Sequence, residues 1–134
     1  MMTRIRWFMV SAILALYVSP LLGGTILFQP PKERDKCPVC GMFVFKYPDW
    51  VASLRFKDGT HRYFDGAKDL FKFLSDMKQY APGISWEDID SYFVTDYYAL
   101  KQIDGRSAYY VVGGDVYGPM GKELVPFEKE AEAR

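Results

Sequence analysis

Cys37-Pro38-Val39-Cys40 holds both cysteines of a 134-residue chain. Two thiols with two residues between them can close on one small ion or on each other. A Cys/His zinc site would need both, together with the sole histidine, His61, and one more ligand. Covalent haem attachment requires His directly after the second Cys, and Gly41 stands there. Three readings stay open. A thiol-disulfide redox pair has a strand before it and a helix after it. Here a charged linker precedes the pair and the strand-like Met42-Phe43-Val44-Phe45 follows. A structural disulfide is permitted outside the cytoplasm, but so short a loop adds little stability. A soft-metal site fits a further residue, Met42, because thiolate and thioether together select Cu(I) over harder ions.

Met120 is the second thioether of interest. It lies in Tyr117-Gly118-Pro119-Met120-Gly121, where Gly and Pro shape the backbone of a turn and leave the side chain accessible. Met77, by contrast, falls on the apolar face of an expected helix and is core filler. His61 reads either as a half-exposed strand residue or as a nitrogen ligand.

These residues need a scaffold. Arg4 and Arg6 precede an uncharged run from Trp7 to Phe28, broken by Pro20, Gly23 and Gly24. A basic start, an apolar core and small residues make a secretory signal, and the run also approaches the roughly 20 residues of a membrane-spanning helix. No Ala-x-Ala follows, so residues 1–28 are expected to stay attached as an anchor. The positive end stays in the cytoplasm and sends the remainder outward. Residues 29–36 form a Pro-containing polar linker, and the domain is expected over residues 37–134.

Within it, residues 51–56 alternate as a half-buried strand. Asp58-Gly59 signals a hairpin to a strand at 61–64. Asp65 is placed as the N-cap of an amphipathic helix over 67–77, with Leu70, Phe71, Phe73, Leu74 and Met77 on its apolar face. A strand over 90–95 completes a β-β-α-β unit at about residues 37–96. A second, related unit is expected over 97–134: strands near 97–103 and 108–112, then a helix from 128 that is cut short at residue 134, making this unit truncated. The expected class is therefore α+β, two small ββαβ-like units behind an N-terminal membrane or signal helix.

Composition narrows the function. Seventeen Lys and Arg balance 17 Asp and Glu, which excludes the strongly basic footprint of a nucleic-acid binder. Nothing resembles a nucleophile-base pair or paired catalytic carboxylates, and one histidine offers little acid-base chemistry. The reading is therefore metal binding and not catalysis, with a thiol-disulfide oxidoreductase using Cys37 and Cys40 as the alternative.

Cys-Pro-Val-Cys-Gly-Met, then Asp58-Gly59 and Phe64-Asp65-Gly66 ahead of a helix, then Gly118-Pro119-Met120-Gly121 and Val125-Pro126-Phe127, resemble the NosL family of nitrous oxide reductase accessory proteins. The resemblance implies a membrane-tethered Cu(I) chaperone outside the cytoplasmic membrane. It implies as partners a membrane ABC-type maturation complex and, through it, nitrous oxide reductase or a related copper enzyme. Family metal positions carry over most directly to Cys40 and Met120, and Cys37 and Met42 match the motif. Many members are anchored through a lipidated N-terminal Cys. No Cys lies near residues 18–30 here, so an uncleaved helix is expected in place of the lipid.

Overall fold

The computed structural model describes residues 28–134. The anchor helix expected over residues 1–28 thus lies almost wholly outside the described residues, among which no helix is long and apolar enough to cross a membrane.

The first expected unit is present. Strand β1 (Ala52–Phe56) turns through Asp58-Gly59 into β2 (His61–Phe64), then comes helix α1 (Ala67–Ser75), a further helical turn α2 (Met77–Tyr80), and β3 (Ile89–Thr95). Asp58 accepts from the Thr60 N–H at 2.8 Å, and Gly59 takes the left-handed conformation (φ 84°) that the turn demands. β1 lies between β2 and β3, antiparallel to both, with Ala52 opposite Phe64 and Ser53 opposite Phe93. The helix packs Leu70, Phe73 and Leu74 onto this sheet, where Leu54, Phe64, Leu70 and Phe73 are wholly buried. Phe64 and Phe73 meet edge to face at 5.3 Å, the arrangement ring quadrupoles favour. Met77 is buried in this core, as its helical spacing required.

The helix expected over 67–77 breaks at Asp76. There the backbone leaves helical geometry (φ −138°, ψ 57°), and the Asp76 carboxylate accepts from the Gln79 N–H to start α2.

The second ββαβ-like unit is not formed. Residues 97–134 contain five strands and no α-helix. Instead of a strand over 97–103, a corner forms at buried Asp96, whose Oδ1 accepts from the N–H groups of Tyr98 and Ala99. Only β4 (Gln102–Asp104) follows, and it joins the first sheet beside β3, giving the order β2-β1-β3-β4. Two short ribbons complete the chain. β5 (Tyr109–Val111) pairs with β8 (Val125–Phe127), and β6 (Tyr117–Gly118) pairs with β7 (Gly121–Lys122). The helix expected from residue 128 is a single 3-10 turn, Glu130–Glu132. A lone sheet lined with local apolar partners wins over a repeat because residues 97–134 lack an amphipathic stretch of helical length.

Candidate metal centre

The cysteine loop closes on itself. The Cys37 N–H donates to the Met42 carbonyl at 2.9 Å, and the Gly41 N–H donates to the Cys37 carbonyl at 2.9 Å. Lys36 and Phe43 form a single β-bridge at its neck. Gly41 adopts φ 79°, a conformation costly for any residue with a Cβ, so the Gly of Cys-Gly-Met is required for the loop to return. A 3-10 turn, Val44–Lys46, follows in place of the strand expected there; no α-helix follows the pair.

Both thiols are free: Cys37 is buried and Cys40 half-buried. They face the start of α1. The Cys37 S–H donates to Asp69 Oδ2 at 3.3 Å, and the Cys40 S–H donates to the Asp65 carboxylate at 3.4 Å. One donor atom from each of Cys37, Cys40, Asp65 and Asp69 lies within 4.8 Å of all the others. Asp65 and Asp69 are both buried. Burial pushes the Cys37 thiol far up, with neighbouring N–H groups opposing, and pushes Cys40 up to about 11. It also raises the Asp65 carboxyl, against the hydrogen bond from Cys40. Four acidic groups are thus gathered in one place, and burial makes three of them, Cys37, Cys40 and Asp65, keep their protons better than exposed ones would. A bound cation is what such a group of ligands is suited to exchange for those protons.

Asp65 was expected to cap α1. The N-cap is instead Gly66, with no side-chain cap of its own, and Asp65 is turned to the sulfurs. The capping acceptor comes from the other end of the chain. Buried Glu123 accepts from the N–H groups of Lys68 (2.9 Å) and Leu124 (3.1 Å), which hold its charge against a burial that raises its pKa. A Cβ on Gly66 would stand 2.9 Å from a Glu123 oxygen, so only glycine leaves room for this carboxylate.

The two thioethers make contacts of their own. Met42 Sδ accepts from the Tyr47 hydroxyl at 3.7 Å. Met120 is 41% exposed at the tip of the β6–β7 hairpin. Its carbonyl and that of Lys122 accept from the Lys68 ammonium, at 2.5 and 2.7 Å, which fastens the hairpin beside Asp69 on α1. His61 stacks on Tyr63 in β2 and does not join the cysteines. No sequence motif marks Asp65 and Asp69 as partners of the cysteines. The available signal was Asp69, an acid on the face of a helix otherwise filled by Leu70, Phe73 and Leu74.

The NosL family profile matches residues 29–134. The copper-binding lipoprotein NosL of Stutzerimonas stutzeri is 31% identical over 111 residues, which cover 76% of this chain and 54% of that protein. The chain thus spans about half the length of this curated relative. The crystal structure of the copper chaperone NosL from Shewanella denitrificans shares the fold with a TM-score of 0.65 and 25% identity, covering 80% of this chain and 82% of that one. With the profile running unbroken through the cysteine loop, the start of α1 and the Met120 hairpin, the chain belongs to the NosL family.

Proposed function

We propose that this protein binds Cu(I) as cargo and passes it on, without catalysing a reaction. The observation that carries the reading is the pair of free thiols held together out of water at one end of the sheet. Relatives described as a copper-binding lipoprotein and a copper chaperone support it. Thiolates are soft ligands and suit a soft monovalent ion. Cys37 and Cys40 supply them, and the thioethers of Met42 and Met120 complete the shell. Asp65 and Asp69 accept the S–H hydrogen bonds and orient both sulfurs. Transfer proceeds by ligand exchange: a neutral thioether leaves more readily than a thiolate, so an incoming sulfur ligand enters on the Met120 side.

The chaperone works on the extracytoplasmic face of the membrane, tethered there by its N-terminal segment. It delivers copper to a membrane ABC-type maturation complex, with nitrous oxide reductase or a related copper enzyme as the client. The redox alternative is disfavoured by the thiols themselves. A nucleophilic Cys-x-x-Cys pair opens a helix whose N-terminus lowers a thiol pKa, whereas burial raises both thiols here and the next element in the chain is the 3-10 turn Val44–Lys46.

X-ray absorption on protein loaded with Cu(I) under reducing conditions tests the proposal. A sulfur-dominated shell with one copper per chain is expected. An all-nitrogen/oxygen shell, or preference for Zn(II) over Cu(I), would overturn it.

A further inference from the structure

One end of the four-stranded sheet carries a continuous apolar surface. A groove of about 260 Å³ opens between Phe28, Phe45, Val51 and Leu100. Phe45 is 40% exposed and lies 6.3 Å from the ring of Phe43, itself 37% exposed. Leu100 also borders a second hollow with Trp50 and Tyr98. Leu100 is 56% exposed and holds φ 51°, a left-handed conformation that a bulky side chain adopts only at a cost. The Asp96 corner imposes it: the Leu100 N–H donates to the Asp96 carbonyl, and the Asp96 N–H to the Lys101 carbonyl. A leucine is thus held out into solvent by a rigid turn.

The surroundings indicate what covers this surface. The uncharged run from Trp7 leads directly into it, because Phe28, where the run ends, lines the groove. Lys36 and Lys46 stand over the Phe43 ring at 4.7 and 5.7 Å. Aromatic rings with cations at their rim are the composition of a protein surface at the level of lipid headgroups. Asp49 is the acid on the edge of the second hollow. We infer that this end of the domain, with Phe43, Phe45, Trp50, Tyr98 and Leu100, rests on a lipid bilayer. The inference builds on the membrane tether proposed above and adds an orientation to it. The cysteine loop is part of the same end, since its neck is the Lys36–Phe43 bridge and Asp65 follows the strand end at which Phe64 pairs with Ala52. The metal centre therefore faces the membrane margin.

The opposite end supplies a control. Trp86 is 58% exposed and precedes β3, whose other end reaches the groove at Thr95. That places it about 20 Å away along the strand. The full chain is reconstituted into vesicles of zwitterionic and anionic phospholipids with brominated acyl chains. Two single-tryptophan variants are compared: W7F/W86F, which keeps Trp50, and W7F/W50F, which keeps Trp86. Flotation reports the tether, and circular dichroism reports folding. Expected is loss of most Trp50 emission with Trp86 emission unchanged. A second probe, Phe45→Trp in W7F/W50F/W86F, is expected to be quenched like Trp50. Floating, folded protein with Trp50 and the Phe45→Trp probe both unquenched overturns the orientation and leaves the tether standing; a protein docked on this face is then the reading. Quenching of Trp86 equal to that of Trp50 overturns it as well. Failure to float overturns tether and orientation together.

Discussion

The cysteine loop and the Met120 hairpin place their sulfurs by different means. Cys37 and Cys40 sit in a loop closed by two backbone hydrogen bonds and lean on two buried aspartates, Asp65 just ahead of α1 and Asp69 in its first turn. Met120 sits on a ribbon whose strands are two residues each, fastened by one lysine ammonium and one buried glutamate. A buried ligand set loses little entropy when an ion arrives, because the side chains are already ordered. A ligand on an exposed, lightly held tip can leave again. In the proposed site this contrast divides the work: the thiols supply retention, the hairpin supplies exchange.

The largest effect is expected where retention is removed. Cys37→Ser with Cys40→Ser leaves hydroxyls that are poor ligands for a soft ion. Cu(I) affinity, measured by competition with a chromophoric chelator, is expected to fall at least about 100-fold, roughly 2.7 kcal/mol. Asp69→Asn keeps the shape but replaces the acceptor that orients Cys37; a loss of about 10- to 100-fold is expected in the same assay. A loss as large as that of the double serine variant would show that Asp69 is itself a ligand.

Glu123→Ala removes the link between the two regions. Two N–H groups lose a buried acceptor, and the midpoint of chemical denaturation should show a loss of about 1–3 kcal/mol. Met120→Leu acts on the hairpin alone. Size and apolarity are kept, so stability should change by less than about 1.5 kcal/mol, while Cu(I) affinity falls about tenfold, roughly 1.4 kcal/mol. Unchanged affinity would confine the site to the cysteine loop and dissolve the contrast.

The smallest effect is one of pH on the metal-free protein. The Cys40 thiol is raised from 9.0 to about 11 by burial. In the unfolded chain it ionises first, so its contribution to stability is complete below pH 9 and is lost as pH rises towards about 11. Denaturation midpoints should decline across that window, and Cys40→Ser should lessen the decline, leaving the part that buried Cys37 contributes.

Local signals carried the first half of the fold. Asp58-Gly59 set the hairpin, and the spacing of Leu70, Phe73 and Leu74 set α1, because a turn type and an amphipathic face are written within a few residues. The stretch after Asp96 departs from its local pattern because its order comes from distant partners. The Tyr97 N–H donates to the Pro126 carbonyl, and the Glu128 N–H to Asp96 Oδ2. Cys37 and Cys40 were legible as a pair from spacing alone. Asp65 and Asp69 were not, since acids at a helix start have an ordinary reading as caps and dipole partners. Only the fold shows that they point at sulfur.

Glu123 also sets an order of events. The Lys68 N–H at the start of α1 finds its acceptor 55 residues further along the chain. Until that segment has docked, the first turn of α1, which carries Asp69, lacks this cap, although the Cys-x-x-Cys loop closes on itself within residues 37–42. A chain cut off before residue 123 has both thiols but lacks the carboxylate that caps the helix beside them.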